Sequence, residues 1–311
     1  MANRMLHTKD GVPLSELLAR AEAELNLFNQ APRVIREMLG QNVDEQVFKV
    51  YTGDMEWEEL AEGEHPRTGE LASKEMAFSV STFGRSLGMT QELIEDHSAD
   101  YVLRRIDALA EGALKKEHDV VFNTIRGAWA DGSGLWFTPE DYGNRSFSAT
   151  HDHTYADTND LFGDADAHTA REHLEILAED VEEHGKVASI AIVGSDFARA
   201  LKSELTWAAS YNIPTFESLR TTSFPENGLE VDGLRVYKSM WVDATEAHVI
   251  AADERPLYFH ERRPVQLSSG EYGGPVSDPA TLLGAYGSAR YGAIVPDPLA
   301  GAKIVAADNL A

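Results

Sequence analysis

Residues 90–127 read TQELIEDHSADYVLRRIDALAEGALKKEHDVVFNTIRG. Apolar side chains recur there every three or four positions over roughly 35 residues, which is the spacing of one helix face. Thr90 is placed to act as the N-cap, acidic residues occupy the first turns, and Lys115 and Lys116 come later, the order that the helix dipole favours. The stripe consists of Leu93, Ile94, His97, Tyr101, Val102, Ile106, Leu109, Ala113, Leu114, Val120, Val121 and Ile125.

This segment predicts one long helix that ends at Gly127. At about 1.5 Å per residue the helix would measure roughly 50 Å, which exceeds the usual length in globular proteins. We expect it to run along the body of the protein as a spine, with Gly112 weakening its middle.

An extended hairpin is predicted before the helix. Residues 47–51 alternate apolar and polar side chains, as a half-buried strand does, and a second strand is predicted over residues 75–83. Roughly twenty polar, turn-rich residues separate the two strands. A mobile surface loop would also fit this pattern, but an extended hairpin has little core of its own, so we favour contact with a partner.

The first 46 residues predict an arm with a helix. Leu14, Leu17, Leu18 and other apolar residues recur at helical spacing. A second apolar group over residues 34–39 follows Pro32, where we expect the helix to break.

Beyond the long helix, the pattern mixes helices and strands. A helix is predicted over residues 166–184 with Gly185 as its C-cap, then a buried strand over residues 189–193 and a helix with Ser195 as its N-cap. Because this is no regular βαβ series, the predicted fold class is α+β. The later strands are predicted at residues 229–237, 247–252, 258–269, 282–293 and 302–306.

Composition excludes several classes of protein. The 311 residues include no cysteine, which excludes disulfides, thiolate zinc sites and cysteine nucleophiles. No apolar run approaches the roughly 18 residues of a membrane span, and residues 1–11 lack the apolar region of a secretory signal.

The charge balance is strongly acidic. Asp and Glu number 52 against 27 Lys and Arg, a net charge of −25 that is spread over every segment. A uniformly acidic, lysine-poor surface indicates adaptation to concentrated salt, although an ordinary acidic protein is the alternative. Such a surface disfavours binding of nucleic acid through basic patches.

No catalytic or metal-binding motif stands out. His151, His153, Asp157, His168 and His173 lie close together in sequence, but the first two occupy an irregular segment and no His-Glu-x-x-His occurs. The Gly-Ser-Asp sequence of residues 194–196 lacks the second glycine of a nucleophile elbow. We therefore predict no catalytic residue, no metal ligand and no cofactor, and a metal-dependent enzyme at His151 and His153 remains a distant alternative.

The order of the elements is more informative than any single motif. A strand runs into the long helix, a glycine turn ends it, and a strand–helix unit and a closing strand pair follow. In this order the chain resembles, over nearly its whole length, the major capsid protein of tailed viruses, the Hong Kong 97 phage fold. The proline that is common in the family's strand at residues 228–239 is absent here. The stretches that carry the resemblance are residues 83–96, 110–124, 131–134, 189–202, 228–239, 257–267, 289–295 and 302–306.

The resemblance implies a structural subunit, not an enzyme, with a Hong Kong 97-type organisation. The implied parts are an N-terminal arm (residues 1–46), an extended hairpin loop (47–88), a peripheral domain with the spine helix (89–164 and 253–296) and an axial domain (165–252 and 297–311). Pentamers and hexamers would form an icosahedral shell around double-stranded DNA, which is enclosed without sequence-specific binding. The expected assembly contacts are Glu62, Arg67, Lys74, Arg255, Arg262 and Arg263.

The resemblance also implies partners and a location. The subunit would occupy the virion capsid and, during assembly, the host cytoplasm, without membrane contact. Portal and decoration proteins would bind the shell, and because no scaffolding segment precedes the arm we expect a separate scaffolding protein. The acidity favours a virus of a halophilic archaeal host.

Two further expectations follow from the resemblance. Some relatives crosslink a hairpin lysine to a neighbour's asparagine; Lys74 could supply the amine, but no asparagine lies between Asn227 and Asn309, so no crosslink is predicted. The alternative function is the shell protein of an encapsulin-type compartment, which would hold a cargo enzyme in place of a genome.

Overall fold

A computed structural model describes residues 7–13, 16–17, 19–20, 34–52, 72–143, 145–155, 169–209, 228–272 and 282–305. Within these residues the helices are α1 (Val34–Leu39), α2 (Gln91–Asp96), α3 (Ala99–Arg126), α4 (Ala170–Glu182) and α5 (Ser195–Ala209). The strands are β1 (Gly40–Asn42), β2 (Val47–Thr52), β3 (Ala72–Ala77), β4 (Ser81–Thr90), β5 (Thr154–Tyr155), β6 (Ile190–Val193), β7 (Leu229–Val231), β8 (Leu234–Lys238), β9 (Ala247–Ile250), β10 (Leu257–Tyr272), β11 (Leu282–Ile294) and β12 (Gly301–Ile304).

The predicted spine is two helices, not one. Thr90 caps α2 as expected, since its hydroxyl accepts a hydrogen bond from the amide of Leu93 at 3.2 Å. The chain is then extended at His97 and Ser98 before the 28 residues of α3 begin. A residue of the arm stabilises the start of α3 at this interruption, because the carboxylate of Asp10 accepts a hydrogen bond from the amide of Ala99 at 3.1 Å. The prediction of a continuous helix was wrong here, while its end at Gly127 is confirmed.

The strand predicted over residues 75–83 is also two strands with different partners. β3 pairs with β2 to form the predicted hairpin, from Val47 opposite Ala77 to Thr52 opposite Ala72. β4 instead pairs with β11, so most of it leaves the hairpin loop to which residues 47–88 were assigned. The alternation of side chains over residues 75–83 does not reveal where the partner strand changes, because side chains alternate with a period of two in both pairings.

A four-stranded sheet with the order β1-β10-β11-β4 carries the spine helix. Its centre is the long antiparallel pair β10–β11, which runs from Tyr258 opposite Ile294 to Tyr272 opposite Leu282. This pair confirms the predicted closing hairpin. Apolar side chains of α3 pack with those of the sheet in one cluster that includes Val121, Phe122, Ile125, Phe259, Ala289 and Tyr291.

A six-stranded sheet with the order β5-β12-β9-β6-β8-β7 forms the second half of the structure. Helices α4 and α5 pack on one of its faces, around Leu174, Phe197 and Val249. Its other face contributes Ile190, Ile192 and Ile250 to the same cluster as the end of α3. The two sheets therefore share a core, which the spine helix joins.

The helix predicted to start at Ser195 does start there, but Ser195 is its first residue and not the cap. The amides of Asp196 and Phe197 instead donate to the carbonyl oxygen of Ala244, at 2.8 and 3.0 Å. A backbone carbonyl from a distant loop thus satisfies the donors that a capping hydroxyl would have satisfied.

A buried polar chain fastens the end of α3 to the six-stranded sheet. Trp129 donates its ring N–H to Nδ1 of His248 at 3.1 Å, so Nε2 of His248 carries the proton and donates to Glu246 at 3.1 Å. Arg126, in the last turn of α3, also binds Glu246, with 2.9 Å between its Nε and the carboxylate. The ring nitrogens of Trp129 and His248 and Nε of Arg126 are thereby paired, which holds the helix end in one orientation.

Candidate assembly surface and a buried histidine cluster

The hairpin β2–β3 is attached to the body at its base. Phe48 packs against Phe78 and Tyr258, with ring centroids 6.3 and 5.0 Å apart. Farther along β2, the side chain of Tyr51 is 62% exposed, although it borders a cleft of its own subunit. The hairpin therefore has one anchored end and an apolar side chain available to a neighbouring molecule.

The exposed Lys74 lies on β3, and its ammonium group is 5.5 Å from the centre of the Trp136 ring. The irregular segment that contains Trp136 also borders a cleft of about 260 Å³, together with Tyr51 and Lys186. Part of the hairpin thus lies against the irregular segment of its own subunit that contains Trp136. Two of the residues predicted as assembly contacts, Glu62 and Arg67, lie outside the described residues.

The three predicted arginine contacts occupy different environments. Arg255 is exposed and adopts a left-handed backbone conformation, with φ 45°, after a 3-10 helix. Arg262 is exposed on β10. Arg263 is half-buried, and its buried Nε has no hydrogen-bond partner among the described residues.

The structure pairs Arg263 with a second arginine that was not among the predicted contacts. Arg290 of β11 is directly opposite Arg263, between register shifts of the β10–β11 pair, and its Nε is likewise buried without a hydrogen-bond partner. Directly opposite residues share a face of the sheet. Ala289 and Tyr291 flank Arg290 and lie in the core cluster, so both arginines point to the opposite face.

Three histidines form a second polar cluster. One ring nitrogen from each of His151, His153 and His184 lies within 4.8 Å of the others. Nε2 of His153 is 3.1 Å from Nε2 of His184, and the buried Nε2 of His151 has no hydrogen-bond partner in the part of the chain that the structure describes. Phe147 covers the cluster, with its ring centroid 4.4 Å from that of His184.

The three imidazoles are neutral in this environment. Burial, together with smaller contributions from the neighbouring imidazoles, lowers the pKa of His153 to about 4 and that of His184 to about 3. Burial also lowers the pKa of His151. Neutral imidazoles carry the lone pairs that bind metal ions.

Only part of this cluster was visible in the sequence. His151 and His153 come together as neighbours, but His184, which follows α4, was not considered as a ligand. His173 is buried in a different place, with its ring centroid 6.3 Å from that of Phe197. Asp157 and His168 lie outside the described residues. The only local signal for His184 was its position at the end of a predicted helix, which says nothing about its distance from the other two.

Solved structures define the class of fold. A structure from Mycobacterium phage Patience matches with a TM-score of 0.62 and 14% identity, over 97% of this chain and 90% of that one. The mature capsid of bacteriophage PhiM1 matches with a TM-score of 0.53 and 15% identity, over 88% and 86%. The capsid of Cyanophage P-SCSP1u matches with a TM-score of 0.53 and 11% identity, over 87% and 86%. The predicted α+β, Hong Kong 97-type fold is thereby confirmed.

The sequence itself places the protein more narrowly. Residues 73–304 match the family model described as phage capsid protein, so the chain belongs to the phage capsid protein family. It is a structural shell protein of a virion and not an enzyme. No curated protein matches it significantly. Among the described residues, no helix combines the length and the apolar character needed to cross a membrane.

Proposed function

We propose that this protein assembles as pentamers and hexamers into an icosahedral shell that encloses double-stranded DNA. The observation that carries the proposal is the family match over residues 73–304, together with a fold shared with the mature capsid of bacteriophage PhiM1 over 88% of the chain. In this assembly, residues 1–46 act as an arm whose last strand, β1, joins the four-stranded sheet. The hairpin reaches a neighbour, and the four-stranded and six-stranded sheets form the peripheral and axial domains. β4 belongs to the peripheral sheet.

The paired arginines provide a contact between subunits. Two guanidinium groups on one face of β10–β11 repel each other, and the Nε atoms of Arg263 and Arg290 are buried without a hydrogen-bond partner. The chain carries 52 acidic residues against 27 basic ones, so the complementary group on a neighbouring copy is a carboxylate. A carboxylate accepts two parallel hydrogen bonds from a guanidinium group.

Replacement of both arginines tests this contact. Arg263→Gln with Arg290→Gln removes the charge at similar length, and Arg235→Gln is the matched control because Arg235 is an exposed strand arginine, on β8, that is not among the predicted contacts. We expect the double variant to stay folded by circular dichroism but to lose closed shells in electron micrographs, while the control assembles. Shells from the double variant at the wild-type yield would contradict the contact.

Microscopy of the wild-type protein in roughly molar salt tests the shell itself. Closed polyhedral particles, or free pentamers and hexamers, are the expected species. A protein that stays monomeric or dimeric in both molar and dilute salt would overturn the proposal. Shells that contain an enzyme and no DNA, when isolated from their source, would identify the encapsulin-type alternative.

The acidity supports a virus of a halophilic, archaeal host. A net charge of −25 on each of many neighbouring copies requires screening, which concentrated salt provides. Assembly would take place in the host cytoplasm with separate scaffolding, portal and decoration proteins. The enclosed DNA would meet a protein whose net charge of −25 disfavours binding through basic patches.

A further inference from the structure

We propose that His151, His153 and His184 bind a divalent transition-metal ion, with Zn²⁺ as the ion to test, and that this metal fastens the irregular segment 145–155 to the end of α4. This role concerns the fold of one subunit and is independent of shell assembly. It assigns a function to the three histidines that membership of a capsid family does not require.

The spacing of the nitrogens suits three ligands of one ion. Zinc binds imidazole nitrogen at about 2.0–2.1 Å with tetrahedral geometry, which places neighbouring ligand atoms about 3.3 Å apart. The two Nε2 atoms of His153 and His184 are 3.1 Å apart, and a nitrogen of His151 completes a set within 4.8 Å. Binding of the ion would draw the His151 nitrogen closer to the other two.

The hydrogen bonds orient His153 as a ligand. Its Nδ1 is 2.9 Å from the carbonyl oxygen of Gly301, which can only accept, so Nδ1 carries the proton and Nε2 presents a lone pair to the cluster. Metal-binding histidines usually hold their other ring nitrogen in this way. His153 has no exposed surface, so its orientation is fixed by the fold.

The cluster has more acceptor capacity than its members can satisfy. A hydrogen bond between His153 and His184 uses one lone pair, but the buried Nε2 of His151 has no partner. A metal ion would accept a lone pair from each ring. Imidazole ligands suit zinc, copper and nickel, whereas Mg²⁺ and Ca²⁺ prefer oxygen.

The metal would join parts of the chain that are distant in sequence. His151 and His153 directly precede β5, an edge strand of the six-stranded sheet, and His184 lies in the turn after α4. Asp297 lies near the cluster, but Lys186, its ion-pair partner at 2.5 Å, acts on the same histidines with the opposite sign, so the pair adds little net charge. The three side chains leave a fourth coordination position for water.

Zinc binding to the full-length chain tests the site. After treatment with a chelator and dialysis, Zn²⁺ titration followed by metal analysis should give one ion per chain, and the melting temperature should rise with added Zn²⁺ but not with Mg²⁺. The X-ray absorption edge of bound zinc should show nitrogen ligands at imidazole distances.

Two variants separate a built site from general binding to histidine. His184→Gln, at the half-buried member, should lose the bound ion and the zinc-dependent rise in melting temperature. His7→Gln changes an exposed histidine elsewhere and should behave as wild type. Folded wild-type protein that retains no zinc, or equal zinc binding by both variants, would overturn the proposal. His151→Gln provides a second test if His184→Gln does not fold.

Discussion

At the scale of single residues, two glycines that the sequence does not distinguish differ in the space available for a Cβ atom. A Cβ atom at Gly194 would lie 1.8 Å from the carbonyl oxygen of Asp243 and 2.6 Å from that of Ala244. A Cβ atom at Gly112, which is exposed on α3, would meet nothing within 4 Å. The first glycine lets a loop cross the end of β6, and the second only weakens a helix.

Gly194→Ala should therefore destabilise the subunit, and Gly112→Ala should stabilise it. We expect a loss of roughly 1–3 kcal/mol or more at Gly194, because backbone atoms must move. At Gly112 we expect a gain of about 0.5–1 kcal/mol from better helix propensity. Urea unfolding of the two variants measures both values, and the same sign at both positions would refute this account.

The buried carboxylate of Glu246 should make stability depend on pH. Burial would raise its pKa, but hydrogen bonds and charge from His248 and Arg126 outweigh that effect and lower the pKa to about 2 from the ordinary 4.5. Because the unfolded chain takes up the proton first, the stabilisation is present above about pH 4.5 and is lost as pH falls toward 2.

Glu246→Gln measures this contribution. The difference in unfolding free energy between wild type and variant should be largest above pH 4.5 and should shrink toward pH 2. Glu230→Gln, at an exposed position on β7, is the control and should change stability little. A difference that does not change with pH would argue against the ion pair as its source.

At the scale of elements, side-chain hydrogen bonds distinguish two helix starts whose capping residues have similar backbone angles. Thr169 and Ser98 both precede helices with extended backbone angles. Thr169 forms a capping box: its hydroxyl accepts from the amide of Glu172, whose carboxylate accepts from the amide of Thr169 at 2.8 Å. Ser98 makes no capping hydrogen bond with its side chain.

Thr169→Ala should cost more than Ser98→Ala. Loss of a capping side chain usually costs about 0.5–2 kcal/mol, so we expect Thr169→Ala to fall in this range. The loss of stability at Ser98 should be no more than a few tenths of a kcal/mol, because no capping hydrogen bond is lost there. Thermal unfolding of both variants gives the comparison, and equal losses would show that the hydroxyl bonds do not decide these helix starts.

At the scale of the whole molecule, the charge of −25 should govern the assembled state more than the fold. Two like charges 10 Å apart repel by about 0.4 kcal/mol in water, and many copies side by side multiply this term. At 1 M salt the screening length is about 3 Å, so most of the repulsion disappears.

Shells should therefore loosen on dilution into millimolar salt while the subunits keep their secondary structure. Sedimentation and circular dichroism on the same sample measure the two properties separately. Particles that keep their size and sedimentation rate in millimolar salt would contradict the role of screening. Unfolding at the same salt concentration as disassembly would show that the charge acts within the subunit.

Local patterns in the sequence determined the order of elements and several of their ends. Alternating side chains marked the hairpin strands, and a helical stripe marked α3 with its end at Gly127, because these signals need only neighbouring residues. Thr90 as the cap of α2 was recognisable for the same reason.

Only the tertiary structure decided which distant residues meet. The break at His97 and Ser98 involves the arm residue Asp10, and the pairing of β4 with β11 joins segments about two hundred residues apart. The partner of Arg263 follows from strand register, and His184 joins His151 and His153 only after α4 packs against the sheet. Such contacts depend on the packing of whole elements, and no period within one segment encodes them.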